Sequence, residues 1–178
     1  MADFDIAIAT VIEHEGGFVD HPDDPGGATN YGISLRFLQS EYGLDFDLDS
    51  DGDLDADDIK KMTMEQAIAI YHEKWWDKYD YGRIGNQLIA TKVFDLAVNM
   101  GAKQAHKLMQ RACLACGRVD IKEDGVLGPA TVGAINLLPA IALQASLRSE
   151  AAGYYRLIAA QHPDFSAFIS GWLRRAYD

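Results

Sequence analysis

Residues 15–34 read EGGFVDHPDDPGGATNYGIS, and they follow a segment, Asp3 to His14, with helical periodicity. Phe4, Ile8, Val11 and Ile12 recur at helical spacing, and Glu15 continues the same stripe. The pattern puts a carboxylic acid where a core hydrophobe belongs, in the last turn of a helix that Gly16 and Gly17 terminate. Burial and the negative end of a helix dipole both disfavour an ionised carboxylate, so the position suits a general acid. The competing reading is a helix-end Glu that reaches water or pairs with a Lys. The loop that follows is rich in Gly and Pro and carries Asp20, Asp23, Asp24, Thr29 and Tyr31. It is costly to order and has little apolar surface to offset that cost. Polar residues on loops held by a rigid scaffold are where chemistry concentrates. An acid facing a second carboxylate across a cleft is the arrangement that hydrolyses glycosidic bonds.

The stretch HEGGFVDHPDDPGGATNYGIS, residues 14–34, resembles the signature of glycoside hydrolase family 108, the peptidoglycan N-acetylmuramidases. The resemblance implies that Glu15 is the catalytic acid. The layout is also similar to phage-type lysozymes, which use Glu, then Asp nine residues on, then Thr. Glu15, Asp24 and Thr29 match, except that the step from Asp to Thr is one residue shorter. Asp20 and Asp23 therefore compete with Asp24 for the role of second carboxylate. FDLAVNMG, residues 94–101, resembles the family helix that faces the catalytic loop, which makes Asn99 a candidate substrate contact. By chemistry alone Asn99 is a helix-end amide satisfying backbone groups. Tyr31 on the loop and Trp76 are further candidates for sugar contact. The helix expected from Met64 to about Asp77 has the apolar stripe Met64, Ala67, Ile68, Tyr71 and Trp75; Trp75 and Trp76 are adjacent, so one of them lies off the core face unless both are packed.

The second unusual stretch is DLDSDGDLDADD, Asp47 to Asp58. A twelve-residue EF-hand loop supplies oxygens from positions 1, 3, 5, 7, 9 and 12, with Gly at 6. Asp47, Asp49 and Asp51 fill the first three and Gly52 is the glycine. Asp53 would give its carbonyl and Asp55 would act through water. Asp58 closes the loop with a shorter arm than the usual Glu. The expectation is one structural Ca2+; the alternative is a disordered acidic run. Eight aspartates between Asp45 and Asp58 account for most of the net charge of −11, leaving the rest of the chain at −3. No basic face for nucleic acid is present.

The hydrophobic content of 48% and charged content of 24% are ordinary for a globular chain of 178 residues. No run reaches membrane-spanning length, and MADFDIAIAT has neither the basic start nor the cleavage site of a signal peptide. The expectation is synthesis in the cytoplasm, with release to the wall through a holin, and no membrane insertion. Cys113 and Cys116 read as reduced packing residues.

Further helices are expected at residues 35–42, Met64 to about Asp77, Asn86 to Met100, Ala102 to Cys116, Pro139 to about Gln161 and Asp164 to about Tyr177. Asp124-Gly125-Val126-Leu127-Gly128-Pro129-Ala130-Thr131 resembles the hallmark of helical peptidoglycan-binding modules, and is also an ordinary turn into a helix. The expected architecture is mostly α, lysozyme-like, a helical bundle around a long helix with a Gly/Pro-rich active-site loop or small hairpin. It is read as one domain over residues 1–178, with a catalytic part at 1–85 that carries the EF-hand-like loop 47–58 and a peptidoglycan-binding-like part at 86–178 packed on it.

The function expected is hydrolysis of the β-1,4 bond between N-acetylmuramic acid and N-acetylglucosamine, by a chain acting as a monomer. Two rivals are a lytic transglycosylase, which uses one acid and no water, and a non-catalytic calcium-dependent wall-binding protein.

Overall fold

The computed structural model describes residues 1–20 and 27–178. Its contacts gather into two units, Ile8–Lys74 on the one hand and Met1–Ala7 with Trp75–Asp178 on the other. In chain order the elements are α1 (Phe4–His14), a hairpin of β1 (Thr29–Asn30) and β2 (Ile33–Ser34), α2 (Leu35–Glu41), α3 (Ala56–Lys61) and α4 (Met64–Tyr71). These are followed by α5 (Gln87–Met100), α6 (Ala102–Ala115), α7 (Pro129–Leu137), α8 (Ala140–Gln161) and α9 (Ile169–Tyr177). The fold is mostly α with one small antiparallel sheet, as the sequence predicts.

In the unit Ile8–Lys74, Ile8, Val11, Ile33, Leu38, Ile59, Ala67 and Tyr71 are buried. The hairpin is the smallest possible: Thr29 pairs with Ser34 and Asn30 with Ile33. The turn residues Tyr31 and Gly32 have φ of 49° and 77°, as a two-residue type I′ turn requires. Val19 and Thr29 exchange both backbone hydrogen bonds at 2.8 Å, which adds a third segment to the pair. Asn30 is buried, and its side-chain amide donates to the carbonyls of Ile59 (3.0 Å) and Met62 (3.4 Å) at the end of α3. The hairpin is thereby tied to the helix that follows the acidic loop. Ser34 caps α2 through the Phe37 N–H, and Thr63 with Gln66 forms the capping box expected at α4.

The segment after α4 corrects the sequence reading. Residues His72–Asp77 form a π-helical turn rather than a continuation of the α-helix. Its i→i+5 pattern moves the phase of the buried positions by one residue. Tyr71 is therefore followed at burial by Trp76 and not by Trp75, which helical spacing had put on the apolar stripe.

In the other unit, Trp76 packs edge-on to Phe4 (centroids 5.6 Å) and Phe94 (5.5 Å), with Tyr81 at 6.0 Å. Helices α5, α6 and α8 pack together around Val93, Leu96, Ala105, Leu108, Leu143 and Leu147, all fully buried. Charged residues enter this core as a group. Arg175 of α9 meets Asp95 of α5 at 2.8 Å, and Lys92 donates to the Arg175 carbonyl. Burial pushes the Lys92 ammonium below its usual range. The helix expected at the C-terminus from Asp164 begins instead with a 3-10 turn, Pro163–Phe168.

The Asp124–Thr131 stretch is held as a turn. A β-carbon on Gly125 would fall 2.7 Å from the Lys103 carbonyl, at a φ of 77°. Gln110 accepts from the Gly125 N–H and donates to Asp124 and to the Val126 carbonyl. His106, 1% exposed, bonds the Gly125 carbonyl through Nδ1 and the Tyr81 hydroxyl through Nε2. A carbonyl only accepts, so Nδ1 carries a proton. Cys113 and Cys116 are free thiols, and burial raises the Cys113 thiol to about 11.

Burial holds His106 below the 6.5 of a free imidazole. The unfolded chain therefore takes a proton before the folded one does. Stability from this site is complete above about pH 6.5 and is lost as pH falls toward the folded value. Melting temperature is expected to fall between pH 7 and about 5.5, and less steeply in His106→Gln. Thermal denaturation across that range checks it.

Candidate active site

Helix α1 stops at His14, and Glu15 is the first residue beyond it, its N–H bonded to the Val11 carbonyl at 2.9 Å. Glu15 is half-buried. The sequence stripe extended burial to this residue; the chain leaves the helix here, so its side chain stays partly accessible. The carboxylate lies against the tip of the hairpin. A β-carbon on Gly32 would be 2.5 Å from Glu15 Oε2 and 2.6 Å from the Tyr71 hydroxyl. Only glycine leaves room there. The Tyr71 hydroxyl donates to the Tyr31 carbonyl at 2.9 Å. Gly32 itself is exposed to solvent.

Thr29 sits on β1, half-buried, its hydroxyl donating to the Gly27 carbonyl at 3.4 Å. Tyr31 is half-buried in the turn and Asp20 is exposed. Asp23 and Asp24 lie outside the described residues. The structure thus brings Glu15, Thr29 and Tyr31 into one unit around the hairpin, with Tyr71 added. Sequence reasoning assigned Tyr71 to the apolar face of α4. Its ring is indeed buried, and only the hydroxyl at its tip reaches the site.

Asn99 and Trp76 belong to the other unit. Asn99 is exposed in the last turn of α5, where its side-chain oxygen accepts from the Tyr155 hydroxyl at 2.7 Å. Trp76 is 5% exposed. An indole enclosed by Phe4, Phe94 and Tyr81 has no face left for a sugar, so Trp76 is a core residue and not a stacking platform.

The acidic loop is ordered by its own carboxylates. Asp47 accepts from the N–H groups of Ser50 (2.6 Å) and Gly52 (3.0 Å), and Gly52 has a φ of 99°. Asp58 is fully buried and accepts from Leu48 (2.6 Å), Asp49 (3.3 Å) and Asp55 (2.9 Å). Asp55 and Asp58 together form the capping box of α3. Carboxylate oxygens of Asp47, Asp49 and Asp58 lie within 4.8 Å of one another, as do those of Asp53, Asp55 and Asp58. Asp51 falls in neither group; its carboxylate accepts from the Asp53 N–H instead. Lys61 pairs with Asp49 Oδ2 at 2.6 Å and holds that carboxyl below its usual range. The other oxygen, Asp49 Oδ1, is buried without a hydrogen-bond partner. Repulsion, chiefly from Asp51, raises the Asp53 carboxyl. Oxygens at this density, one of them orphaned, fit a hard cation.

Comparison with known proteins adds the relationship. No curated protein matches the chain. The solved structure of SagA from Brucella abortus aligns with a TM-score of 0.75 and 29% identity, covering 97% of this chain and 88% of that one. A family model described as a predicted peptidoglycan domain matches residues 104–177. The model described as glycosyl hydrolase 108 matches residues 8–101, more than half of the 178 residues, and includes Glu15, the hairpin and the acidic loop. This chain belongs to glycosyl hydrolase family 108, a family of lysozyme-type enzymes that act on peptidoglycan.

Proposed function

We propose that the bond cleaved is the β-1,4 linkage from N-acetylmuramic acid to N-acetylglucosamine, with Glu15 as the general acid. The observation that carries this reading is the Glu15 carboxylate seated on the side-chain-free tip of an exposed turn. Half-buried there, the carboxylate is held against the turn and still reaches solvent. Glu15 gives its proton to the leaving glycosidic oxygen as the bond breaks, and a water completes the hydrolysis. Asp24 is the proposed second carboxylate, facing the oxocarbenium-like centre, and Thr29 holds the water. Residues of the second family match supply attachment to the wall. The enzyme works as a monomer and reaches the wall through a holin. Among the described residues no helix is long and apolar enough to cross a membrane.

We further propose that Asp47, Asp49, Asp51, Asp53 and Asp58 hold one Ca2+, with Asp55 acting through water. Its contribution is to neutralise the loop, with no part in bond cleavage. The orphaned Asp49 oxygen supports this.

Glu15→Gln keeps the shape of the side chain and removes the acid. Clearing of purified peptidoglycan is expected to fall at least about a hundredfold, with the melting temperature little changed. Wild-type products are expected to carry free reducing muramic ends by mass spectrometry; anhydro ends would instead mark a transglycosylase. Asp24→Asn is expected to lower turnover more than Asp20→Asn or Asp23→Asn, with Thr29→Val between. Equal, mild effects at the three aspartates would remove Asp24 from its role. Calcium at about a hundredfold above its dissociation constant adds roughly 2.7 kcal/mol to folding stability. Chelator should therefore lower the melting temperature by several degrees, calcium should restore it, and Asp47→Ala should abolish the difference.

A further inference from the structure

The hydroxyl of Tyr71 and the carboxylate of Glu15 converge on one point, the place where a Gly32 side chain would begin. Tyr71 comes from α4, is fully buried, and directs its hydroxyl at the Tyr31 carbonyl. A phenol has one proton to donate and two lone pairs to accept with. A carbonyl cannot donate, so the single proton of Tyr71 is committed to Tyr31. What the hydroxyl has left for other partners is lone pairs alone. An ionised carboxylate, also an acceptor only, is mismatched to such a neighbour. A carboxylic acid, which has an O–H to give, is matched to it.

We infer that Tyr71 is a positioning residue for the reaction, holding the Tyr31–Gly32 turn by its proton and offering the acid form of Glu15 an acceptor by its lone pairs. The inference rests on the reading of Glu15 as general acid. Two features of the geometry support a specific role over simple packing. Tyr31 is a non-glycine residue at positive φ, a conformation that needs its surroundings to hold it. Its carbonyl is the atom that Tyr71 grips. The hydroxyl also sits at the one position of the turn where the absence of a side chain lets the carboxylate approach. Removing the hydroxyl frees the turn and takes the acceptor from beside the acid, while the ring continues to fill the core.

Tyr71→Phe makes that change alone. On soluble glycan strands, kcat is expected to fall about tenfold, the scale of one hydrogen bond, with KM unchanged and the far-ultraviolet circular dichroism of the folded protein retained. Because Tyr71 acts through Glu15, adding Tyr71→Phe to Glu15→Gln is expected to cause no further loss of residual activity. A wild-type kcat in Tyr71→Phe overturns the inference. So does a tenfold loss that repeats in the Glu15→Gln background, since that marks a general structural prop. Glu15→Gln alone separates this from the underlying reading. Full activity there removes Glu15 as the acid, whereas an inactive Glu15→Gln beside a wild-type Tyr71→Phe removes only the role of Tyr71.

Discussion

A hairpin with two residues in each strand cannot hold itself in place, and the site around Glu15 is built on one. Its position comes from bonds that arrive from elsewhere in the chain. Val19 pairs with Thr29 on one edge, the Asn30 amide reaches the carbonyls of Ile59 and Met62, and the Tyr71 hydroxyl takes the Tyr31 carbonyl. Each bond contributes on the order of 1 kcal/mol. Together they fix a left-handed turn whose apex leaves the carboxylate its place. The constraint is backbone position, and the chemistry follows from it.

One of those anchors leads back to the acidic loop. Helix α3 has six residues, too few to persist alone. At its start Asp55 and Asp58 cap it, and Asp58 also gathers the N–H groups of Leu48 and Asp49. At its end Asn30 holds the carbonyls. A loop dense in negative charge and a hairpin beside the acid are thus joined by a single short helix. Asp58 steadies the start of α3, and Asn30 ties its end to the hairpin.

The parts of this arrangement that sequence reveals are those set by local chemistry. Glu15 on an apolar stripe ahead of Gly-Gly, the capping box at Thr63, and the regular spacing of aspartates with Gly52 all follow from neighbours a few residues away. The burial of Glu15 was overstated by the stripe because the helix ends one residue earlier. Trp76 was misplaced because a π turn has no compositional mark, yet it shifts every later position by one. The partner of Tyr71 lies 40 residues away and that of Arg175 lies 80 away. Neither is encoded by periodicity, which reads a tyrosine on an apolar face as core and a lysine or aspartate within α5 as surface.

Gly32 has a consequence for how this enzyme can diverge. A methyl group there meets a Glu15 carboxylate oxygen and a buried hydroxyl at less than van der Waals distance, on a backbone that side chains rarely adopt. No single substitution at this position is neutral, so sequence drift is closed to it while Glu15 and Tyr71 remain. The side chains around it are less confined: Phe18 and Val19 are exposed, and Tyr31 is half-exposed on the turn itself. New preferences for the glycan are therefore reached by changing what flanks the turn, with its apex as a fixed point of descent.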